Sequence, residues 1–155
     1  YVCNTMRKKK KKTGAVNSAK VTIDGILFAS KIEAYTYSHL KAAGLDFSYE
    51  GDSFTLMDSF RYDGVQFKSV KSKKDLVDYS GKLTRAITYK PDFVSHTHKF
   101  VIEVKGFIPS QHTFPLRWKL FLRYLMNNNM GDYTLYIPRN QSQVNEMIKL
   151  ISNDR

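Results

Sequence analysis

Apolar residues recur at helical spacing in some stretches of the chain and alternate or cluster in short runs in others. A helix is predicted from about Lys31 to Ala43, with Ser30 as its N-cap and Gly44 just past its end. Trp118, Phe121, Leu122 and Leu125 fall on one helical face behind Gln111-His112-Thr113-Phe114-Pro115, where a proline in the first turn forfeits no hydrogen bond. Asn127-Asn128-Asn129 ends that run. Val144, Met147, Ile148 and Ile151 mark a last helix over Ser142–Ser152. Strand-like runs cover Asp46–Tyr49, Ser53–Met57, Phe60–Val70, Ala86–Val94, Lys99–Lys105 and Tyr133–Ile137. This order of a helix, several mostly antiparallel strands, then helix, strand, helix predicts an α/β or α+β mixed-sheet class with no internal repeat.

Composition adds a partner class. The 155 residues suit one domain, and 25 Lys and Arg against 14 Asp and Glu give +11. Such charge supplies sequence-independent affinity for phosphates. Six of the cations, Arg7, Lys8, Lys9, Lys10, Lys11 and Lys12, form one run, which reads as a solvated arm over residues 1–20 able to order on DNA. Without it the remainder is still basic, at 19 against 14. A second basic stretch holds Lys68, Lys71, Lys73, Lys74, Lys82, Arg85 and Lys90, diluted by Asp75 and Asp78; a solvated hairpin and a DNA clamp both fit it. The ten Tyr, ten Phe and one Trp mostly sit at strand or helix-face spacing and read as core rather than as base-stacking platforms. No apolar stretch reaches membrane-spanning length, and no hydrophobic signal region is visible. The lone Cys3 favours a reducing, intracellular setting.

The chemistry concentrates in Tyr89-Lys90-Pro91-Asp92-Phe93-Val94 and Phe100-Val101-Ile102-Glu103-Val104-Lys105-Gly106. Read as a hairpin with its turn centred between Thr97 and His98, the pair places Asp92 directly opposite Glu103. Residues so opposed have Cβ atoms about 4.5–5.5 Å apart on one face, near enough to share one hard cation. Lys105 points to that same face, while Phe93, Phe100, Ile102 and Val104 point into a core. Two carboxylates this close repel unless a proton or a cation intervenes, so Mg²⁺ or Mn²⁺ is implied. The competing reading is a pair of solvated charges on an edge hairpin. His96 and His98 at the tip are too few to argue for a metal site.

Pro91-Asp92 followed by Glu103-Val104-Lys105 resembles the PD-(D/E)xK nuclease superfamily. The further runs Ser30-Lys31-Ile32-Glu33 and Gly44-Leu45-Asp46-Phe47-Ser48-Tyr49-Glu50 resemble phage endonuclease I, a Holliday-junction resolvase, and related phage nucleases. The likeness spans roughly residues 25 to 126 and is interrupted by a basic insertion over about 51–86 within a single domain of residues 21–155. It implies a restriction-endonuclease-like core, a central mixed sheet flanked by helices. It also implies Mg²⁺-dependent endonuclease activity on branched or duplex DNA, a homodimer, and a host cell's interior. Asp92, Glu103 and the backbone carbonyl of Val104 would hold the ion, and Lys105 would position water or stabilise charge. Glu33 has two open roles: a metal or water ligand, and the reach-back glutamate of a Ser30-x-x-Glu33 capping box. Arg117 and Lys119, on the helix after the hairpin, would face phosphate or solvent. The motif leaves open mismatch-nicking, transposon-end and restriction-type nucleases, and a non-catalytic DNA-binding or assembly protein that keeps the fold.

Overall fold

The computed structural model describes residues 20–106 and 113–153. The Arg7–Lys12 run, Cys3 and Gln111-His112 lie outside them.

The described chain enters through a hairpin of β1 (Val21–Ile23) and β2 (Ile26–Phe28). Its turn residues Asp24 and Gly25 take φ of 53° and 77°, the left-handed pair that matches the twist of two-residue hairpins. The hydrophobic pattern does not predict these strands, because three residues are too few to count an alternation; the Asp24-Gly25 dipeptide was the local signal. Helix α1 (Lys31–Ala42) follows, with the Ser30 hydroxyl accepting the Glu33 N–H at 3.2 Å. Gly44, at φ 66°, closes it: its N–H reaches the Lys41 carbonyl and that of Leu45 the Leu40 carbonyl.

After β3 (Ser48–Tyr49), the chain runs out through β4 (Phe54–Met57), β5 (Phe60–Arg61) and β6 (Phe67–Lys68). It returns through β7 (Val77–Asp78), β8 (Leu83–Thr84) and β9 (Ile87–Tyr89), so that three short antiparallel ladders are nested in one long hairpin arm. The remaining elements are β10 (Phe93–Ser95), β11 (Phe100–Ile102), α2 (Phe114–Asn127), β12 (Thr134–Tyr136) and α3 (Gln141–Asn153).

The class is mixed α and β. The main sheet has the order β12-β11-β10-β3, antiparallel except for the parallel β11–β12 pair. Strands β10 and β11 are therefore its two inner strands, and the hairpin is not at an edge. Both of its faces are covered. On one, Phe93, Phe100, Ile102 and Val104 pack with Leu40 of α1 and with Val144, Met147 and Ile151 of α3. On the other, Val94 and Val101 pack with Phe121 and Leu125 of α2 and with Phe54 and Tyr89 of the arm's base. Strands buried on both faces read as continuous apolar runs, which explains Phe93-Val94 and Phe100-Val101-Ile102. No helix among the described residues is long and apolar enough to cross a membrane.

Two predicted strands are broken. Ala86–Val94 divides at Lys90-Pro91-Asp92, so that β9 pairs with β4 while β10 joins the main sheet. Pro91 has no N–H to continue a ladder. Phe60–Val70 divides into β5 and β6 with irregular chain between. The reading of the aromatics as core also fails in one place: Phe60, Tyr62 and Phe67 on the arm are 46%, 56% and 57% exposed.

Candidate active site

The expected register is present. Phe93 pairs with Ile102, Val94 with Val101 and Ser95 with Phe100, and continuing that ladder sets Asp92 opposite Glu103. The N–H of Glu103 is directed to β12, where it meets the Tyr136 carbonyl at 2.9 Å, and the carbonyl of Asp92 is directed to β3, where it accepts the Glu50 N–H at 2.8 Å. Asp92 and Glu103 thus form a pair with no backbone bonds between them, the closer of the two kinds in an antiparallel ladder.

Pro91 shapes what comes next. By the same register it stands opposite Val104, at a position where two residues would ordinarily exchange both backbone bonds. Pro91 has no N–H to give the Val104 carbonyl, and the Val104 N–H goes instead to Asp92 Oδ2 at 2.6 Å. The Val104 carbonyl lies on the same strand edge as its N–H, and so on the side of the Asp92 carboxylate. Asp92, Glu103 and the Val104 carbonyl, the donor set the sequence suggested, are thus neighbours on the two strands.

Glu103 is 5% exposed and is held by two side chains. The Tyr89 hydroxyl donates to Oε2 at 2.6 Å, and the Lys105 ammonium pairs with Oε1. Lys105 also lies 4.3 Å above the centroid of the Phe114 ring, so α2 fixes its position. Asp92 has less support. Burial first, and then the facing Glu103, push its carboxyl up to about 8, against the opposing pull of the Val104 N–H. Burial and the Glu103 carboxylate hold the Tyr89 phenol well above its ordinary range, so it remains a hydrogen-bond donor.

Glu33 is held at the start of α1, but its carboxylate reaches the Ala29 N–H, one residue before the N-cap amide that a capping box would use. Its Oε1 accepts from Ser30 Oγ at 2.6 Å, and its Oε2 from the Ala29 N–H at 3.2 Å and the Tyr49 hydroxyl at 2.8 Å. It is still close enough to add to the repulsion that raises Asp92. Among the described residues, no group of three or more His, Cys, Asp or Glu side chains converges as a metal cage. Two carboxylates and a carbonyl nevertheless fit Mg²⁺, which is ordinarily bound by one or two carboxylates and keeps water or phosphate oxygens as its other ligands.

A cleft of about 450 Å³ opens over Glu103 and Lys105, lined also by Thr88, Tyr89, Lys90, Thr113, Phe114 and Arg117. Its three cations, Lys90, Lys105 and Arg117, outnumber its one carboxylate and suit a polyanion. Lys90 lies 3.8 Å from Glu50 in an exposed pair that holds it weakly. Lys119 is not on the cleft: two residues along α2 is about 200° of helical rotation from Arg117. Lys71, Lys73 and Lys74 are exposed near the tip of the arm, away from the cleft. His96 is occupied by Asp52 at 2.9 Å and the Tyr133 hydroxyl at 2.8 Å, an anchor for the hairpin tip. Tyr89 and Tyr49, the two clamps, were not foreseen. Tyr89 lies in the quoted motif, but the break at Pro91 alters how it sits relative to Asp92, and spacing carries no sign of that.

No curated protein matches the chain, and no solved structure does. Residues 11–135 match the family described as "Protein of unknown function (DUF1064)", and the chain belongs to that family.

Proposed function

We propose that this chain is a divalent-metal-dependent endodeoxyribonuclease of the PD-(D/E)xK type, hydrolysing phosphodiester bonds in branched or duplex DNA. The carrying observation is a half-buried Asp92 set opposite a buried Glu103 on the central hairpin, with Lys105 beside Glu103 and both of these on the wall of a basic cleft. A mixed sheet with α1 and α3 on one face and α2 on the other supports a restriction-endonuclease-like core. Asp92, Glu103 and the Val104 carbonyl would hold Mg²⁺ or Mn²⁺, which when bound lowers the pKa of water and neutralises charge on the reacting phosphate. Lys105, paired as an ammonium with Glu103, acts as a donor toward developing negative charge rather than as a base. Arg117 and Lys90 receive the flanking phosphates at the cleft mouth. Tyr89 keeps Glu103 oriented, and its ring packs on Phe121 at 4.7 Å and Trp118 at 6.2 Å, which limits water behind the carboxylates.

A second reading, a DNA-binding protein without catalysis, is favoured by one observation: the Glu33 carboxylate, the third that the motif suggested, already accepts from Ser30, the Ala29 N–H and Tyr49. Incubation with labelled four-way junction, flap, mismatched and plain duplex DNA, with and without Mg²⁺, separates the two. The expected outcome is metal-dependent cleavage that Lys105→Ala lowers about 10²-fold. Paired symmetric nicks at the junction by a protein sedimenting as a dimer would make it a resolvase. Absence of cleavage on all four substrates, with Lys105→Ala binding as well as the parent, would replace the nuclease reading by the binding one.

Tyr89→Phe removes one hydroxyl and leaves the ring in place. Metal affinity, read by Mn²⁺ titration, is expected to fall about 10-fold, as when a partner that orients a metal ligand is lost. Unchanged affinity would show that Lys105 alone suffices to set Glu103.

A further inference from the structure

No residue from Thr55 to Thr88 is buried, although the segment is rich in large apolar side chains. Phe60, Tyr62, Val65, Phe67, Leu76 and Leu83 are all between 46% and 75% exposed. The two outer ladders, β5–β8 and β6–β7, are each separate two-stranded sheets. Isolated two-stranded ladders bury too little to account for such residues, and exposed apolar surface on this scale marks a contact surface.

Charge selects the partner. Residues 59–85 hold seven cations and three acids, a net +4, and the four lysines between Lys68 and Lys74 have no acid among them. Two copies of such an arm repel, whereas a polyanion is attracted. The aromatics narrow the class. A duplex hides its base faces and needs cations alone, while unpaired bases stack on exposed rings beside a basic track. One aromatic of the arm, Tyr79, is already taken, with Lys82 4.0 Å and Lys68 5.5 Å from its centroid. Tyr62 lies over Gly64, where an added Cβ would stand 2.5 Å from the ring; glycine there lets the ring lie flat along the backbone. The arm is rooted at the cleft, since Thr88 and Tyr89 of β9 and the adjoining Lys90 form part of its wall.

We propose that the hairpin arm of residues 59–85 is a binding element for nucleic acid with unpaired bases, its aromatics stacking on the bases and its lysines following the phosphates. This rests on the nuclease reading only in taking the partner to be a nucleic acid. Binding is measured without metal, by fluorescence anisotropy, on oligothymidylate, a four-way junction and blunt duplex. The variants are Phe60→Ala/Tyr62→Ala/Phe67→Ala and Lys71→Ala/Lys73→Ala/Lys74→Ala, each matched to the parent in melting temperature. The aromatic variant is expected to lose about tenfold or more on oligothymidylate and on the junction, and little on duplex. The lysine variant is expected to weaken all three alike and to flatten the salt dependence. Equal losses on all three ligands for the aromatic variant, or none, would overturn the proposal. So would a change in sedimenting mass at unchanged affinity, which would make the arm an interface between copies. The aromatic effect without cleavage by the parent would uphold the arm and remove only the catalytic reading.

Discussion

Asp92→Asn is expected to abolish metal-dependent cleavage, by about 10³-fold or more, and at the same time to make the metal-free protein more stable. The two effects share one cause. Asp92 is half-buried and faces Glu103 with a single backbone N–H to support it, and this partial loss of water together with the facing charge raises its carboxyl from 3.8 to about 8. The sign of the linkage follows. Below about pH 4 the group is neutral in both folded and unfolded chains and contributes nothing. Between about pH 4 and pH 8 the unfolded chain releases a proton that the folded chain retains, and stability falls by up to about 1.4 kcal/mol per pH unit. Above about pH 8 the loss levels off. Asparagine carries no charge and can still accept the Val104 N–H, so the variant lacks this slope and its advantage over the parent grows steadily from about pH 4 to about pH 8. Denaturant melts in chelator at pH 5 and pH 8 read the difference. A variant no more stable than the parent at pH 8, relative to pH 5, would mean that the carboxylate pair is not strained, and the argument for a cation would go with it.

The affinity for Mg²⁺ or Mn²⁺ is expected to rise about tenfold per pH unit up to about pH 8 and then to flatten. A cation must displace the proton that Asp92 holds, so binding is linked to the release of one proton. Between pH 6 and pH 8 the dissociation constant should fall about 100-fold, and the cleavage rate at limiting metal should follow it. Calorimetric titration in two buffers of different ionisation enthalpy counts the proton directly. A constant that does not move with pH would place the ion elsewhere. The expected dependence, together with its loss in Asp92→Asn, would assign the proton to this carboxyl.

How much of this was legible depended on whether the signal was local. The three helices were, within a few residues, because caps and apolar spacing are written in neighbouring positions: Ser30 and Gly44 for α1, Pro115 for α2, and the Val144–Ile151 stripe for α3. The hairpin register was legible for a similar reason. Placing the turn between Thr97 and His98 determines every opposed pair, so Asp92 and Glu103 could be brought together without coordinates. The basic segment is a hairpin arm as one reading of it had it, but its aromatics were misread as core, because Phe60–Val70 has strand composition and composition cannot report that no element covers it.

Chain order by itself determined the acidic pair, the lysine two residues on and the basic balance, since a strand of period two and a short turn leave little freedom in where they point. Tertiary packing decided everything that sets how those groups behave. It made β10 and β11 inner strands, which buries Glu103 and takes enough water from Asp92 to raise it. It brought Tyr89 to Glu103 and the Phe114 ring to Lys105, contacts made across the strand interruption at Pro91 and from a separate helix. It bound Glu33 to the Ser30 hydroxyl, the Ala29 N–H and Tyr49. Burial and long-range hydrogen bonds depend on which surfaces meet, and a one-dimensional pattern records only which residues are able to meet.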